Sequence, residues 1–147
     1  MKAMLLTLFL IAVPAAAQPI ACADLKAALS IPDTTITLAE LRTAGANPNP
    51  VGTLPVPICR VVGENKPAVQ FEVWMPTGAS WNGKFQLVGN GGTAGVISYS
   101  AMRTALARGY ATASTDTGHV SSGSFDSTWA LGRPDLVADF GHRGTHV

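Results

Sequence analysis

The chain has 147 residues, enough for one small domain at most, and is 47% hydrophobic against 13% charged. Ten basic and nine acidic side chains leave a formal net charge of +1, and they form no basic stripe, so nothing points to nucleic acid. Two cysteines without a neighbouring histidine exclude a zinc site.

Met1-Lys2, an apolar run from Leu5 to Val13 and Ala15-Ala16-Ala17 reproduce the basic, apolar and small-residue parts of a secretory leader. Residues 1–17 are therefore expected to be a signal peptide cut between Ala17 and Gln18, too short and wrongly flanked to span a membrane. A buried N-terminal helix is the alternative, and Pro14 counts against it. Cys22 follows small residues, but Pro19 replaces the leucine that a lipidation signal places three positions upstream. In an exported chain Cys22 and Cys59 are expected to form one disulfide, with two buried free thiols as the alternative. The expected localisation is secreted or periplasmic, with no membrane association after cleavage.

Ala23 to Leu29 carries a short helical pattern, ended by Pro32. Thr34 to Leu41 is β-branched and alternating, which predicts a strand, and Asn47-Pro48-Asn49-Pro50 predicts a loop. Val56–Val62 and Ala68–Met75 read as a β-hairpin joined by Gly63 to Pro67. In the second strand Val69, Phe71, Val73 and Met75 share one face against Gln70, Glu72 and Trp74 on the other. Lys84–Val88 predicts the next strand, and Ile97–Arg108 a helix with Gly109 at its C-terminal cap. Tyr110–Thr115 reads as a buried strand, Thr117–Thr128 as a polar loop. Pro134 and Asp135 open a final helix whose apolar side would be Leu136, Val137, Phe140 and Val147. Strand, helix and strand in that order imply parallel pairing and an α/β fold. Only one complete crossover is present, so the sheet is expected to be incomplete, an N-terminal piece of a larger domain.

Between the strand Lys84–Val88 and the helix, Gly89-Asn90-Gly91-Gly92-Thr93-Ala94-Gly95 aims backbone N–H groups at one point. Three readings fit. Gly89–Ala94 matches G-x-G-x-x-A, and Asp116 ends the next strand, where a dinucleotide's ribose-binding acid belongs. Alternatively the loop is an oxyanion loop, whose glycines let a substrate carbonyl approach the backbone. Or the glycines only permit a sharp turn and close helix–strand packing. Asp116 and His119 resemble part of a Ser-His-Asp arrangement, but no G-x-S-x-G elbow exists, and Ser98, Ser100, Ser114 and Ser124 all lack that context. His142 and His146, spaced i, i+4, suit a surface or capping role better than a metal pair. Asp135 and Asp139 read as a solvated helix face, Trp74 and Trp81 as packing residues near strand edges.

Phe71-Glu-Val-Trp-Met-Pro76, Ser80-Trp-Asn-Gly-Lys-Phe85, Val88-Gly-Asn-Gly-Gly92 and Ala107-Arg-Gly-Tyr-Ala-Thr-Ala-Ser-Thr-Asp-Thr-Gly-His119 resemble the tannase/feruloyl esterase family, as does Asp139-Phe-Gly-His-Arg143 with His146. Cys22 and Cys59 resemble that family's N-terminal disulfide. The resemblance implies a secreted serine esterase with an α/β-hydrolase core and a lid, cleaving esters of aromatic acids such as gallate and ferulate through an acyl-enzyme. It places Gly91 and Gly92 at the loop that donates an oxyanion N–H, without deciding between them. Its nucleophile, in Gly-Cys-Ser-x-Gly-Gly, its catalytic Asp and His, and its lid with a calcium site match nothing in 1–147. By this resemblance His119, His142 and His146 are not the catalytic histidine. No cofactor is expected in this chain.

The fold expected is therefore α/β: the N-terminal part of an α/β-hydrolase, a β-hairpin followed by β-loop-α-β-α. Residues 18–147 would be a truncated esterase portion, inactive alone. A secreted non-catalytic binding fragment and a dinucleotide module are the alternatives.

Overall fold

The computed structural model describes residues 19–121 and 123–146. The expected leader, with its cleavage site, and Val147 lie outside them. No helix among the described residues is long and apolar enough to cross a membrane.

A five-stranded mixed sheet organises the chain: β1 (Thr34–Arg42), β2 (Ile58–Asn65), β3 (Val69–Pro76), β4 (Phe85–Leu87) and β5 (Ala111–Thr115), in the order β1-β2-β3-β5-β4. The pairs β1/β2, β2/β3 and β3/β5 are antiparallel, whereas β4 and β5 run parallel. The helix joining the parallel pair is α2 (Tyr99–Ala107), and two further helices, α1 (Leu25–Ala28) and α3 (Pro134–Gly141), flank the sheet. The incomplete α/β sheet expected from the sequence is thus present. It begins with a three-stranded antiparallel meander and ends on one parallel crossover.

The hairpin turn is tighter than the sequence implies, because β2 continues through Gly63 to Asn65 and pairs Gly63 with Phe71. The Phe71 ring lies where a Cβ on Gly63 would be, so the glycine admits an aromatic side chain rather than breaking the strand.

Both faces of β3 are covered, which the alternation of polar and apolar residues does not show. Met102, Ala105 and Leu106 of α2 pack with Val51, Leu54, Ile58, Trp74 and Val88. Full burial of Ile58, Met102 and Leu106 contributes about 1.5–3 kcal/mol each. Trp74 is fully buried at the centre of this core, not at a strand edge, whereas Trp81 is exposed and donates its indole N–H to the Lys84 carbonyl. Glu72 shares the α2 face and is 3% exposed. It accepts from Arg60 Nε at 2.9 Å and Nη2 at 2.6 Å, from Trp74 Nε1 at 2.8 Å and from Tyr99 Oη at 2.8 Å. Four donors on one carboxylate make its burial tolerable. The hydrogen bond to Glu72 raises the Arg60 guanidinium further above its ordinary value, and burial pushes the Tyr99 phenol up.

On the opposite face Ile36, Cys59, Val61 and Phe71 form a second cluster, packed by Leu25 of α1. Cys22 and Cys59 are joined in a disulfide with their Cα atoms 5.7 Å apart, which ties the N-terminal segment to β2. Towards β4 the cover ends: Phe85 is 58% and Leu87 45% exposed. They line an apolar groove of about 270 Å³ with Phe71, Val73 and Ala113.

The final helix departs from expectation. It stops at Gly141, with a 3-10 turn at Arg143–Thr145, and Val137 is exposed while Asp139 is fully buried. Asp139 is no solvated residue. Its carboxylate pairs with Arg143 one turn on and abuts Gly118, so the docked face combines Asp139 with Phe140, which packs on the His119 and Trp129 rings, while Val137 points outward.

Candidate active site

Parallel strands deliver their C-terminal ends to the same edge of a sheet, where α/β proteins place ligands. Here that edge carries two loops, Val88–Ser98 after β4 and Asp116–Ser127 after β5. The expected helix start at Ile97 slips to Tyr99, because Ser98 is taken up by the loop. Its N–H donates to Ser114 Oγ at 3.0 Å, and its Oγ lies 3.0 Å from the Gly89 carbonyl and 2.8 Å from Asn90 Oδ1. Asn90 Nδ2 reaches back 3.3 Å to the Thr115 carbonyl, closing a link between the loop, α2 and the end of β5.

The N–H groups of Gly89, Asn90, Gly91 and Gly92 have no acceptor among the described residues. Three of these residues are exposed and Asn90 is half-buried. Immediately afterwards the loop is pinned. Thr93 N–H donates to the Ser124 carbonyl at 2.8 Å, and Gly95 and Ser121 exchange backbone bonds at 2.8 and 3.2 Å. Gly92 takes φ +57°, with Ser124 packed behind its Cα. N–H groups without a protein acceptor among the described residues, on a base pinned at Thr93 and Gly95, are available to an anion or a developing oxyanion. Both candidate glycines lie in this run, and the geometry does not separate Gly91 from Gly92.

Asp116 cannot serve as a ribose-binding acid in this arrangement. It is 6% exposed, and its Oδ1 accepts from Gln70 N–H at 2.9 Å and Gly118 N–H at 2.8 Å. Burial pushes its carboxyl above the ordinary range, against the pull of those two N–H groups. The spacing of G-x-G-x-x-A to Asp116 is met in sequence, but the carboxylate is spent on a turn and on β3.

His119, 6% exposed, is neither a triad member nor a surface residue. Its Nε2 lies 2.9 Å from the Thr93 carbonyl, and its ring stacks on Trp129 with centroids 3.8 Å apart. Ser98, Ser114 and Ser124 each serve the loops, none of them against His119. His142 and His146 stack on one another at 4.3 Å, and His146 Nδ1 meets the His142 carbonyl at 2.7 Å, an arrangement at the helix end. Among the described residues there is no group of three His, Cys, Asp or Glu side chains that could hold a metal ion. The clamp of the first loop by the second is hardly visible in the sequence. Its one visible sign is the polar Asp116–His119 run directly after a wholly buried strand.

Comparison with known proteins bears on what this edge does. The family described as tannase and feruloyl esterase matches residues 51–147. The chain is 47% identical over 131 residues to an uncharacterized esterase of Xanthomonas campestris pv. campestris, covering 84% of this chain and 22% of that protein. It is 30% identical over 140 residues to feruloyl esterase C of Talaromyces stipitatus, covering 86% and 26%. The crystal structure of feruloyl esterase B from Aspergillus oryzae superposes with a TM-score of 0.72 at 26% identity, over 85% of this chain and 26% of that one. The chain thus spans about a sixth to a quarter of the length of the relatives it matches.

Proposed function

The chain belongs to the tannase and feruloyl esterase family, and from that premise we propose that its glycine loop supplies one half of the oxyanion hole of an exported serine esterase. The substrates would be small esters of aromatic acids, of the gallate and ferulate class. When a serine attacks the ester carbonyl, negative charge gathers on the carbonyl oxygen, and N–H groups held at that point lower the barrier. The acyl-enzyme then loses its acid to water. The observation that carries this reading is the run of unpaired N–H groups from Gly89 to Gly92 at the C-terminal end of β4. The apparent leader and the Cys22–Cys59 disulfide support export.

The nucleophile, histidine and acid that the resemblance implies have no counterpart in these residues, so no turnover is expected of the chain by itself. Two measurements test this. Purified chain is incubated with methyl ferulate and methyl gallate, where no turnover is expected and clear hydrolysis would refute the half-site. Amide NMR is then recorded with an aryl phosphonate, an oxyanion mimic. Shifts should concentrate at Gly89–Gly92, and uniform or absent shifts there would count against the loop as an anion donor.

A further inference from the structure

We propose that His119 is the positioning residue of the glycine loop: its Nε2–H, donated to the Thr93 carbonyl, holds the Gly89–Gly92 N–H groups facing outward. This deepens the oxyanion reading of the loop and rests on it.

A carbonyl oxygen can only accept, so a 2.9 Å contact with Thr93 fixes the proton on Nε2. The ring is held from several sides. Trp129 stacks on it at 3.8 Å, and Phe140 of α3 packs against both rings at 5.8 and 5.4 Å. Against the glycine loop the fit is closer still. A Cβ on Gly95 would lie 2.7 Å from His119 Cδ2 and would also strike the His119 carbonyl, so only glycine lets the loop settle on this ring.

The start of the loop is tied by Ser98 and Asn90 to α2 and β5, whereas its far arm, Gly91 to Gly95, leans on the second loop. Its internal backbone hydrogen bond among the described residues is Ala94 N–H to the Gly91 carbonyl, at a long 3.3 Å. Among the described residues the N–H groups of Gly89–Gly92 make no hydrogen bond that would fix their own peptide planes. The neighbouring bonds, Thr93 N–H and Oγ1 to Ser124, Thr93 Oγ1 to Asp126 and Gly95 to Ser121, all run between the two loops, exposed at the Thr93 hydroxyl. Among the described residues His119 is the buried side chain that crosses from one loop to the other and is itself braced by α3. Truncating it should release the loop while the sheet stays intact.

The test uses the 147-residue chain and three readouts. Nitrogen-detected NMR of the native chain at neutral pH should show His119 protonated at Nε2; an unprotonated Nε2 would overturn the proposal outright, whatever the variants do. Hydrogen exchange at the Thr93 and Gly95 amides should quicken about tenfold in His119→Ala, with the Met102 and Leu106 amides of α2 unchanged. His119→Gln, whose side-chain amide can donate to Thr93, should stay within about threefold of the native rates. Equal acceleration of all four amides in His119→Ala, unchanged Thr93 and Gly95 rates, or no rescue by glutamine would each overturn the positioning role. The aryl phosphonate separates the two readings. If the native chain shows no shifts at Gly89–Gly92 but His119→Ala still frees the loop, the oxyanion reading falls and the positioning role stands. If phosphonate shifts are the same in both proteins and the exchange rates do not differ, only the role of His119 falls.

Discussion

The two halves of the sheet are built to different standards of closure. The antiparallel half, β1 to β3, has strands of eight or nine residues, buried core residues on both faces and a disulfide to the N-terminal segment. The parallel half pairs three residues of β4 with β5 and leaves Phe85 and Leu87 open on one face, yet it carries the candidate site. The candidate site thus lies in the half whose outer face stays open. The division is physically sensible, because a loop of unpaired donors contributes nothing to folding and must be held by what surrounds it.

The sharpest way to break that division is to remove Glu72. In Glu72→Ala the Arg60 guanidinium stays buried without its main partner, and the Trp74 and Tyr99 donors are orphaned. A loss of about 3–5 kcal/mol in urea unfolding is expected. A loss below about 1 kcal/mol would show that the antiparallel half does not depend on this network. Next comes Cys59→Ser, which opens a covalent loop spanning 37 residues and should cost about 4 kcal/mol by the chain-entropy argument. Native-state hydrogen exchange should show that loss spread over β1 and β2 rather than confined to the glycine loop.

A substitution on the open half should behave differently. Phe85→Lys combined with Leu87→Lys removes no closed packing, so the change in stability should stay within about 0.5 kcal/mol. The charges should instead suppress self-association at the exposed strand, read as a lower apparent mass in light scattering at high concentration. A large loss of stability would mean that β4 is not an open edge at all.

The same division explains what the sequence disclosed. The strands were legible because β-branched alternation survives translation into structure, and Gly109 marked the end of α2 through its preference for positive φ, here +81°. The exchange of core and surface on β3 was not legible. Glu72 looks like a solvent residue until Arg60, Trp74 and Tyr99, from 2 to 27 positions away, converge on it. Asp139 was misread for the same reason, since its burial depends on Arg143 and Gly118. The glycine loop announced itself by composition, whereas its support did not, because His119 acts through a backbone carbonyl 26 residues earlier. Patterns of period two or 3.6 report what one element does, not what two loops do to each other.

The smallest expected effect lies on the seam between the halves. Asp116 directly follows β5, and its carboxylate accepts the Gln70 N–H of β3, so it joins the antiparallel half to the site-bearing one. Burial raises its folded-state value above the ordinary 3.8. A raised acid favours the protonated form in the fold, so its contribution to stability is fully present below 3.8 and is lost as pH rises through the raised value. Asp116→Asn keeps an oxygen for Gln70 and Gly118 but cannot ionise. Its stability should match the native chain below pH 3.8 and exceed it modestly near neutrality, giving a flatter pH profile in urea unfolding. A variant less stable by the same margin at every pH would mean that the carboxylate's second oxygen, and not its charge, matters at the seam. The comparison also bears on the dinucleotide alternative. A ribose-binding acid must be ionised and open to its ligand, whereas a residue whose neutral amide holds the fold equally well or better is a structural tie between β5 and β3.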